Sequence, residues 1–351
     1  MTAAKPIAAV DVFCGVGGMT HGLFQEKINV VAGIDNDETC KYAYEKNNKA
    51  KFLQSDIRTL KPKAIKALYP KGHVRLLVGC APCQPFSGYT SKKPKGDRWS
   101  LLYAFADLIE AVQPDIVSME NVPGLERFRN PPIFDQFCQR LIDAGYHVSY
   151  STVYCPDYGV PQTRSRLVLF GSKFAQVSLV PKTHTRDSYV TVEASIKDLP
   201  AIEDGVVSAD DLLHRAPKLN EKNKSRIRAT PEGGGWQDWD SSLVLKCHKK
   251  KKGKSYSGVY GRMRWKAPAP TMTTLCTGIG NGRFGHPAQD RAISLREAAI
   301  FQTFPRTYDF VDPGVKFSAK AISRQIGNAV PVQLGRIVAQ SIKAHLEEHN
   351  G

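Results

Sequence analysis

A cysteine follows a short apolar run at the point where a buried strand would open into a loop. Residues 74–78 form the run, and Cys83 comes five residues after it, in the segment GCAPCQPFS. Pro82 fixes one backbone angle and restricts the residue before it, so the direction of the Cys83 side chain is well defined. A thiol aimed in one direction suits covalent catalysis, and the sequence predicts that Cys83 is a nucleophile.

Cys80 and Cys83 form a CxxC pair, which is also typical of redox-active dithiols and of one half of a zinc site. A zinc site needs a second pair of ligands at metal spacing, and none of the other six of the eight cysteines forms another CxxC. The sequence therefore predicts no bound metal. The redox interpretation stays open at this point.

Length and composition are those of a globular protein. The chain has 351 residues, enough for two domains, and 42% of them are hydrophobic. No run of about 18 apolar residues and no signal-peptide pattern are present, so we expect no membrane insertion and a cytoplasmic location. The cysteines lie mostly in apolar runs, which is typical of reduced core residues. The net charge of +16 favours a polyanionic partner.

Much of the positive charge lies in residues 218–266, called the basic segment below. It holds 14 lysines and arginines against four acids. Aromatic residues and the flexible Gly233-Gly234-Gly235 are interleaved with them, which indicates phosphate contacts and stacking surfaces for nucleic acid. The alternative for the lysine run 249–252 is a solvated loop. The aromatic residues are Trp236, Trp239, Tyr256, Tyr260 and Trp265.

Strand-like and helix-like stretches alternate over the first 170 residues, as in α/β proteins with a mostly parallel sheet and helices on both faces. Ligands of such sheets bind beyond the carboxyl ends of the strands, where Asp35, Asp56, Cys83 and Glu120 are expected. The predicted strands are 7–13, 30–34, 52–54, 74–78, 116–119, 148–153 and 167–170. The predicted helices between them include 38–47, 101–112 and 133–144.

A glycine-rich turn, Gly15 to Gly18, follows the first predicted strand. Glycines let the backbone approach a ligand at the start of a helix. Asp35 stands 20 residues after Gly15, where an acid accepts hydrogen bonds from ribose hydroxyls. The pattern predicts a nucleoside site, with a purely structural turn as the alternative.

Five segments together resemble the ordered signature blocks of the DNA (cytosine-5) methyltransferases of bacterial and phage type. They are FCGVGG (13–18), GCAPCQPFS (79–87), ENV (120–122), QTRSR (162–166) and GNAVP (327–331). The resemblance implies a class I S-adenosylmethionine-dependent methyltransferase fold, with a Rossmann-like sheet and a smaller target-recognition domain. It also implies S-adenosylmethionine as the methyl donor and a target cytosine flipped out of double-stranded DNA.

The resemblance assigns catalytic roles to four residues. Cys83 would add to C6 of the cytosine, which makes C5 nucleophilic, and Glu120 would contact N3 from a partly buried position. Arg166 would contact O2, while Arg164 would position a phosphate or support the loop. The alternatives are a helix-capping role for Glu120 and surface positions for both arginines.

The same resemblance implies a donor pocket. Phe13, Gly15 and Gly17 would line the methionine side, and Asp35 would bind the ribose. Asn36 stands where many members have an aromatic residue that stacks on adenine. The remaining candidates are Asp56 and Ile57 at the adenine, with Pro82, Leu101 and Asn328 as further members of the pocket.

The sequence predicts a catalytic domain at residues 1–186 plus 318–351, and a target-recognition domain with a hinge at 187–317. We expect a monomer acting on duplex DNA, with a restriction endonuclease of the same specificity as a possible partner. An RNA (tRNA) cytosine-5 methyltransferase is the alternative enzyme. A catalytically silent DNA-binding protein would explain the charge but not Cys83, Glu120 and Arg166 together.

Overall fold

The computed structural model describes residues 5–82, 99–128, 132–251 and 253–349. By their contacts these residues divide into two compact units. Unit 1 comprises the chain up to Tyr154, Ser165–Lys182 and the chain from Val330, and unit 2 comprises Cys155–Arg164 and Thr183–Ala329. The chain thus leaves unit 1 twice, first at Cys155–Arg164 and again at Thr183–Ala329.

Among the described residues, seven strands form one sheet, in the order β3-β2-β1-β4-β5-β7-β6. All are parallel except β7, which runs antiparallel to both of its neighbours. The start of β7 therefore lies at the edge where the other strands end. The strands are β1 (Ile7–Val12), β2 (Asn29–Asp35), β3 (Lys51–Gln54), β4 (Val74–Gly79), β5 (Ile116–Asn121), β6 (His147–Tyr154) and β7 (Ser165–Ser172).

The helices lie in both units. The helices within the described residues are α1 (Gly18–Gln25), α2 (Lys41–Asn48), α3 (Pro62–Leu68), α4 (Ser100–Val112), α5 (Ile133–Asp143), α6 (Val192–Ile196), α7 (Glu221–Arg228), α8 (Leu295–Phe301), α9 (Ala319–Asn328) and α10 (Val332–His349). Helices α1 to α5 and α10 belong to unit 1, and α6 to α9 belong to unit 2. No helix of the described chain is both long enough and apolar enough to cross a bilayer.

The core of unit 1 covers both faces of the sheet. Val10, Leu77 and Met119 share an apolar cluster with Phe105 and Ile109 of α4. Because side chains alternate along a strand, their neighbours face the other side, and these are equally buried. Ala9, Leu76 and Val78 are fully buried examples. The prediction of an α/β protein with a mostly parallel sheet is confirmed.

Where the chain returns to unit 1, its last helix, α10, lies very close to α1. Helix α1 packs against α10, and a Cβ at Gly22 would lie 2.5 Å from the carbonyl oxygen of Val332. A larger residue at position 22 would push α10 away from the sheet.

In unit 2, α8 packs against α9. Gln302 donates hydrogen bonds to the carbonyl oxygens of Ile326 (2.6 Å) and Ala329 (3.0 Å), just before the chain re-enters unit 1. Helix α9 therefore belongs to unit 2, whereas the sequence pattern predicts that residues from 318 belong to the catalytic domain. The division of labour between a catalytic and a recognition domain stays a prediction.

One acid is buried within the core of unit 1. Asp11 of β1 has no exposed surface, and Thr20 Oγ1 donates a hydrogen bond to its Oδ2 at 2.7 Å. Its Oδ1 has no hydrogen-bond partner among the described residues. Burial, opposed by the bond from Thr20 and reinforced by the charge of Asp35, raises the pKa of Asp11 to about 7.

Replacing Asp11 with asparagine should make stability less dependent on pH. Because the folded pKa lies above the usual 3.8, the folded state retains a proton that the unfolded chain releases, and stability falls as pH rises from 3.8 to about 7. The amide does not ionise, so Asp11→Asn should gain stability relative to the wild type as the pH rises from about 4 to about 7, measured by urea denaturation. Glu38→Gln, at an exposed acid, is the matched control. If the free energy of unfolding changed with pH in the same way for Asp11→Asn and the wild type, the raised pKa of Asp11 would be contradicted.

Candidate active site

The turn after β1 is shaped by left-handed backbone positions. Phe13, Gly15 and Gly17 have φ angles of 60°, 51° and 88°. The last two are conformations that glycine adopts without strain. Apart from Gly15 itself and its two chain neighbours, no atom of the described residues lies within 4 Å of the place where a Cβ of Gly15 would be. The turn therefore leaves open space beside its backbone, which is the cradle that a bound ligand requires.

Asp35 at the end of β2 ties this turn to the next strand. Its Oδ2 accepts a hydrogen bond from the Gly15 backbone N–H at 2.8 Å, and its Oδ1 accepts one from the Asp37 N–H at 2.9 Å. Burial is the main cause that raises the pKa of Asp35 above its usual range. Each carboxylate oxygen can accept a further hydrogen bond, so the acid can fix the turn and bind a hydroxyl group together.

After the end of β3, the Asp56 carboxylate already accepts hydrogen bonds from Arg58, which the sequence did not indicate. Arg58 donates to the Asp56 carboxylate from its backbone N–H (2.9 Å) and from its side-chain Nε (3.0 Å). These bonds hold the pKa of Asp56 below its usual range. Ile57 is buried, and Asn36 is exposed. Asp56 therefore anchors its own turn, and Ile57 belongs to the apolar core cluster at this end of the strand.

The other donor-pocket candidates fall in two different units. In unit 1, Phe13 and Leu101 are half-buried and pack against the core, the Phe13 ring edge-on to Phe105 with centroids 6.3 Å apart. Pro82 is exposed. Asn328 is the exposed last residue of α9 in unit 2.

Glu120 and Arg166 meet at the carboxyl edge of the sheet. Glu120 is near the end of β5, Arg166 is the second residue of β7, and the strands pair Glu120 with Val168. The Glu120 Oε1 lies 2.7 Å from the Arg166 Nε, and both side chains are largely buried. Oε1 has no hydrogen bond of good geometry in the described chain. The pair is thus an ion pair whose carboxylate oxygen can still accept a well-directed donor.

The neighbour of Glu120 binds the chain two residues before the predicted nucleophile. Asn121 is buried, and its side-chain N–H donates to the carbonyl oxygen of Ala81 at 3.1 Å. Its Oδ1 accepts a hydrogen bond from the Val122 N–H at 2.9 Å. Asn121 stands within the ENV segment, but it is not among the residues for which the sequence predicts a role. Cys83 itself lies outside the described residues.

The first cysteine of the CxxC pair is a poor nucleophile. Burial, followed by the charges of Glu120 and Asp11, raises the pKa of Cys80 well above its usual range. A thiol in this environment stays protonated at neutral pH, whereas redox exchange and nucleophilic attack both need a thiolate. The environment of Cys80 therefore argues against the redox interpretation.

Arg164 does not accompany Arg166 but belongs to unit 2. It is almost fully buried and donates to the carbonyl oxygens of Met272 (3.0 Å) and Ala329 (3.4 Å). Of the two roles that the sequence left open, these contacts favour support of a loop over binding of a phosphate. Gln162 has a similar role, since its amide donates to the carbonyl oxygen of Phe301 at 2.6 Å.

The aromatic residues of the basic segment differ in exposure. Trp239 is buried, and its Nε1 donates to Thr230 Oγ1 at 2.7 Å, so its prediction as a stacking surface is wrong. The ring of Trp265 lies edge-on to buried His286, with centroids 5.3 Å apart. Tyr256 is 54% exposed. The lysines 249–251 are exposed.

Comparison with known proteins identifies the family. Residues 7–344 match the model of the C-5 cytosine-specific DNA methylases. The chain is 53% identical to the Type II methylase M.HgiDII of Herpetosiphon aurantiacus, over 97% of this chain and 96% of that protein. It is 31% identical to the Type II methyltransferase M1.BsuMI of Bacillus subtilis strain 168, over 95% and 80% of the two chains.

A solved structure shares the fold. It is that of a putative DNA modification methyltransferase encoded within an E. coli prophage, with a TM-score of 0.72 and 21% identity over 97% of this chain and 99% of that chain. The predicted class I methyltransferase fold is confirmed. The chain belongs to the family of C-5 cytosine-specific DNA methylases, and it is an enzyme that methylates cytosine at C5 in DNA.

Proposed function

We propose that this enzyme methylates a cytosine flipped out of duplex DNA, through a covalent bond between Cys83 and C6. The observation that carries the proposal is the buried pair of Glu120 and Arg166 beside the anchored start of the Cys83 loop. Two charged groups are costly to bury, and their arrangement offers a carboxylate oxygen and a guanidinium to one planar polar ring.

The pyrimidine would be held along its polar edge. The Glu120 carboxyl would hold a proton against N3, where negative charge develops when the thiolate adds to C6, and Arg166 would contact O2. Arg166 also fixes the orientation of the Glu120 carboxylate through the 2.7 Å ion pair. The pair therefore polarises the ring in the direction that favours addition.

The nucleophile would be Cys83, not Cys80. Asn121 anchors Ala81 next to Glu120. Cys83 is two residues later, so covalent connectivity keeps its Cα within about 7 Å of the Ala81 Cα. The sulfur adds to C6, and C5 becomes nucleophilic and takes the methyl group from the donor sulfonium, which becomes a thioether. Water then removes the C5 proton, and the thiolate is expelled.

The donor would bind beside the glycine turn. When bound, S-adenosylmethionine supplies the electrophilic methyl group. The open space at Gly15 accommodates backbone contact, Asp35 accepts hydrogen bonds from the ribose hydroxyls, and Ile57 provides an apolar surface for the adenine. Asn36 offers no aromatic face, so the charged contact of Asp35 contributes a large share of donor affinity.

Unit 2 would bind and recognise the DNA. Its exposed lysines 249–251 supply phosphate contacts, and Tyr256 supplies an exposed ring. The match to a DNA methylase family favours DNA over the tRNA alternative. By similarity to relatives named as Type II enzymes, we further propose a cytoplasmic location and a partner restriction endonuclease of the same specificity. We also propose a monomer, because one active site and one recognition unit in each chain need no second copy.

A covalent trap tests the nucleophile. DNA containing 5-fluorocytosine cannot lose its C5 substituent as a proton, so the adduct should persist in denaturing gels. We expect trapping and labelled-methyl transfer for the wild type and for Cys80→Ser, and neither for Cys83→Ser. Retained trapping by Cys83→Ser, together with its loss in Cys80→Ser, would assign the bond to the other thiol.

Asp35→Asn tests the donor pocket. The amide keeps the shape of the side chain but loses a charged acceptor, and that contact is made equally in the ground and transition states. We expect the KM for S-adenosylmethionine to rise by one to two orders of magnitude, on the order of 1.5–3 kcal/mol, with a much smaller change in kcat. Asp37→Asn, at the adjacent acid, is the matched control. Unchanged donor affinity in a folded Asp35→Asn variant, measured by calorimetry, would restrict Asp35 to fixing the Gly15 turn.

A further inference from the structure

Unit 2 contains a cleft that none of the assigned roles uses. Its volume is about 290 Å³, which is enough for a phosphate and part of its sugar. Most of its walls are apolar, and two arginines contribute the charge. The lining residues are Thr163, Met263, Arg264, Ala267, Pro268, Pro270 and Arg283.

Arg283 is held rigidly at this cleft. Its Nη1 donates to the carbonyl oxygens of Gly233 (2.6 Å), Gly234 and Arg262 (3.2 Å). These three bonds use one nitrogen of the guanidinium, and the side chain is half-buried. An arginine has five N–H donors, so donors remain for a ligand.

Arg264 is exposed, yet its stem is confined. A Cβ at Gly233 would lie 2.3 Å from the Arg264 Nε and 2.5 Å from its Cγ, so the stem lies directly against the glycine backbone. Gly233 has a φ of +69°, which also favours glycine. Throughout the described chain, no ion pair or hydrogen bond engages the Arg264 guanidinium.

The two cations affect each other. Burial, followed by the charge of Arg264, lowers the pKa of Arg283, and Asp238 only partly offsets this. The Asp238 carboxylate accepts a hydrogen bond from the Gly235 N–H at 2.8 Å, and no described acid forms an ion pair with either arginine. The cleft thus carries positive charge that an anion would neutralise.

We propose that this cleft binds one phosphate of the DNA backbone through Arg264 and Arg283. The proposal rests on the proposed function of unit 2 as the DNA-binding unit. A backbone phosphate places one negative charge between the two cations and accepts bidentate bonds from a guanidinium, whereas the edge of a neutral base would leave their mutual repulsion unreduced. The proline and methionine walls suit the adjoining deoxyribose.

The walls of the cleft are already in place. The Thr163 N–H donates to the carbonyl oxygen of Ala269 at 2.8 Å, and Thr271 Oγ1 donates to the carbonyl oxygen of Thr163 at 2.6 Å. Pro268 and Pro270 restrict the backbone on either side of Ala269. Binding would therefore order few groups beyond the two guanidinium groups, which lowers its entropic cost.

Salt-dependent binding of Arg264→Gln tests the proposal. Two duplexes are compared by fluorescence anisotropy, one with the methylated sequence found by bisulfite sequencing and one without it. We expect both to bind about tenfold more weakly, with the slope of log Kd against log salt reduced by about one. Arg264→Lys should keep the wild-type slope because it keeps the charge. Lys63→Gln, at an exposed lysine of α3, is the control for loss of one charge and should match the wild type.

Different results would contradict the phosphate site and the proposed role of unit 2. Wild-type slope and affinity in Arg264→Gln, with normal DNA binding by the wild type, would overturn the phosphate site alone. Weaker binding only to the methylated sequence, with an unchanged slope, would also overturn it, because the arginine would then read a base. A wild type that binds no duplex would overturn both the phosphate site and the role of unit 2.

Discussion

The ion pair between Glu120 and Arg166 depends on the reversal of a single strand. If β7 ran parallel to β5, its second residue would lie at the opposite edge of the sheet, far from Glu120. The antiparallel register brings the two side chains to 2.7 Å in a largely buried position. Buried ion pairs seldom stabilise a protein more than well-packed apolar residues would, so function explains this pair better than stability does.

Buried arginines hold unit 2 together in place of a sheet. Besides helices α6 to α9, its described residues contain isolated β-bridges and no β-sheet, so many carbonyl groups need other donors. Arg262 is almost fully buried, and Arg291 pairs with Glu297 at 2.7 Å in the interior. Part of the basic charge is therefore structural and does not face a partner. The carbonyl acceptors of Arg262 are those of Ile227, Thr230, His286 and Gln289.

Periodicity and strand-end rules predicted unit 1 well. The contact between Asp35 and Gly15 follows from two adjacent parallel strands that end at the same edge. Unit 2 could not be predicted in the same way, because its contacts are between irregular segments far apart in sequence. Arg164 and Arg166 are two residues apart but lie in different units. Trp239 is buried, and its indole N–H donates a hydrogen bond to Thr230. The composition of the sequence does not show in which unit an arginine lies or whether a tryptophan is buried.

The carboxyl edge of the sheet also determines which thiols stay inactive. Burial and the charges of Asp11 and Asp35 raise the pKa of Cys14 well above its usual range, as burial and Glu120 do for Cys80. Both thiols lie near the proposed donor and cytosine sites, where a stray thiolate would compete for an electrophilic methyl group. The same acids that would bind substrates thus keep these neighbouring sulfurs protonated. A reactive thiolate therefore has to come from a residue other than Cys14 and Cys80, and the proposed mechanism assigns it to Cys83.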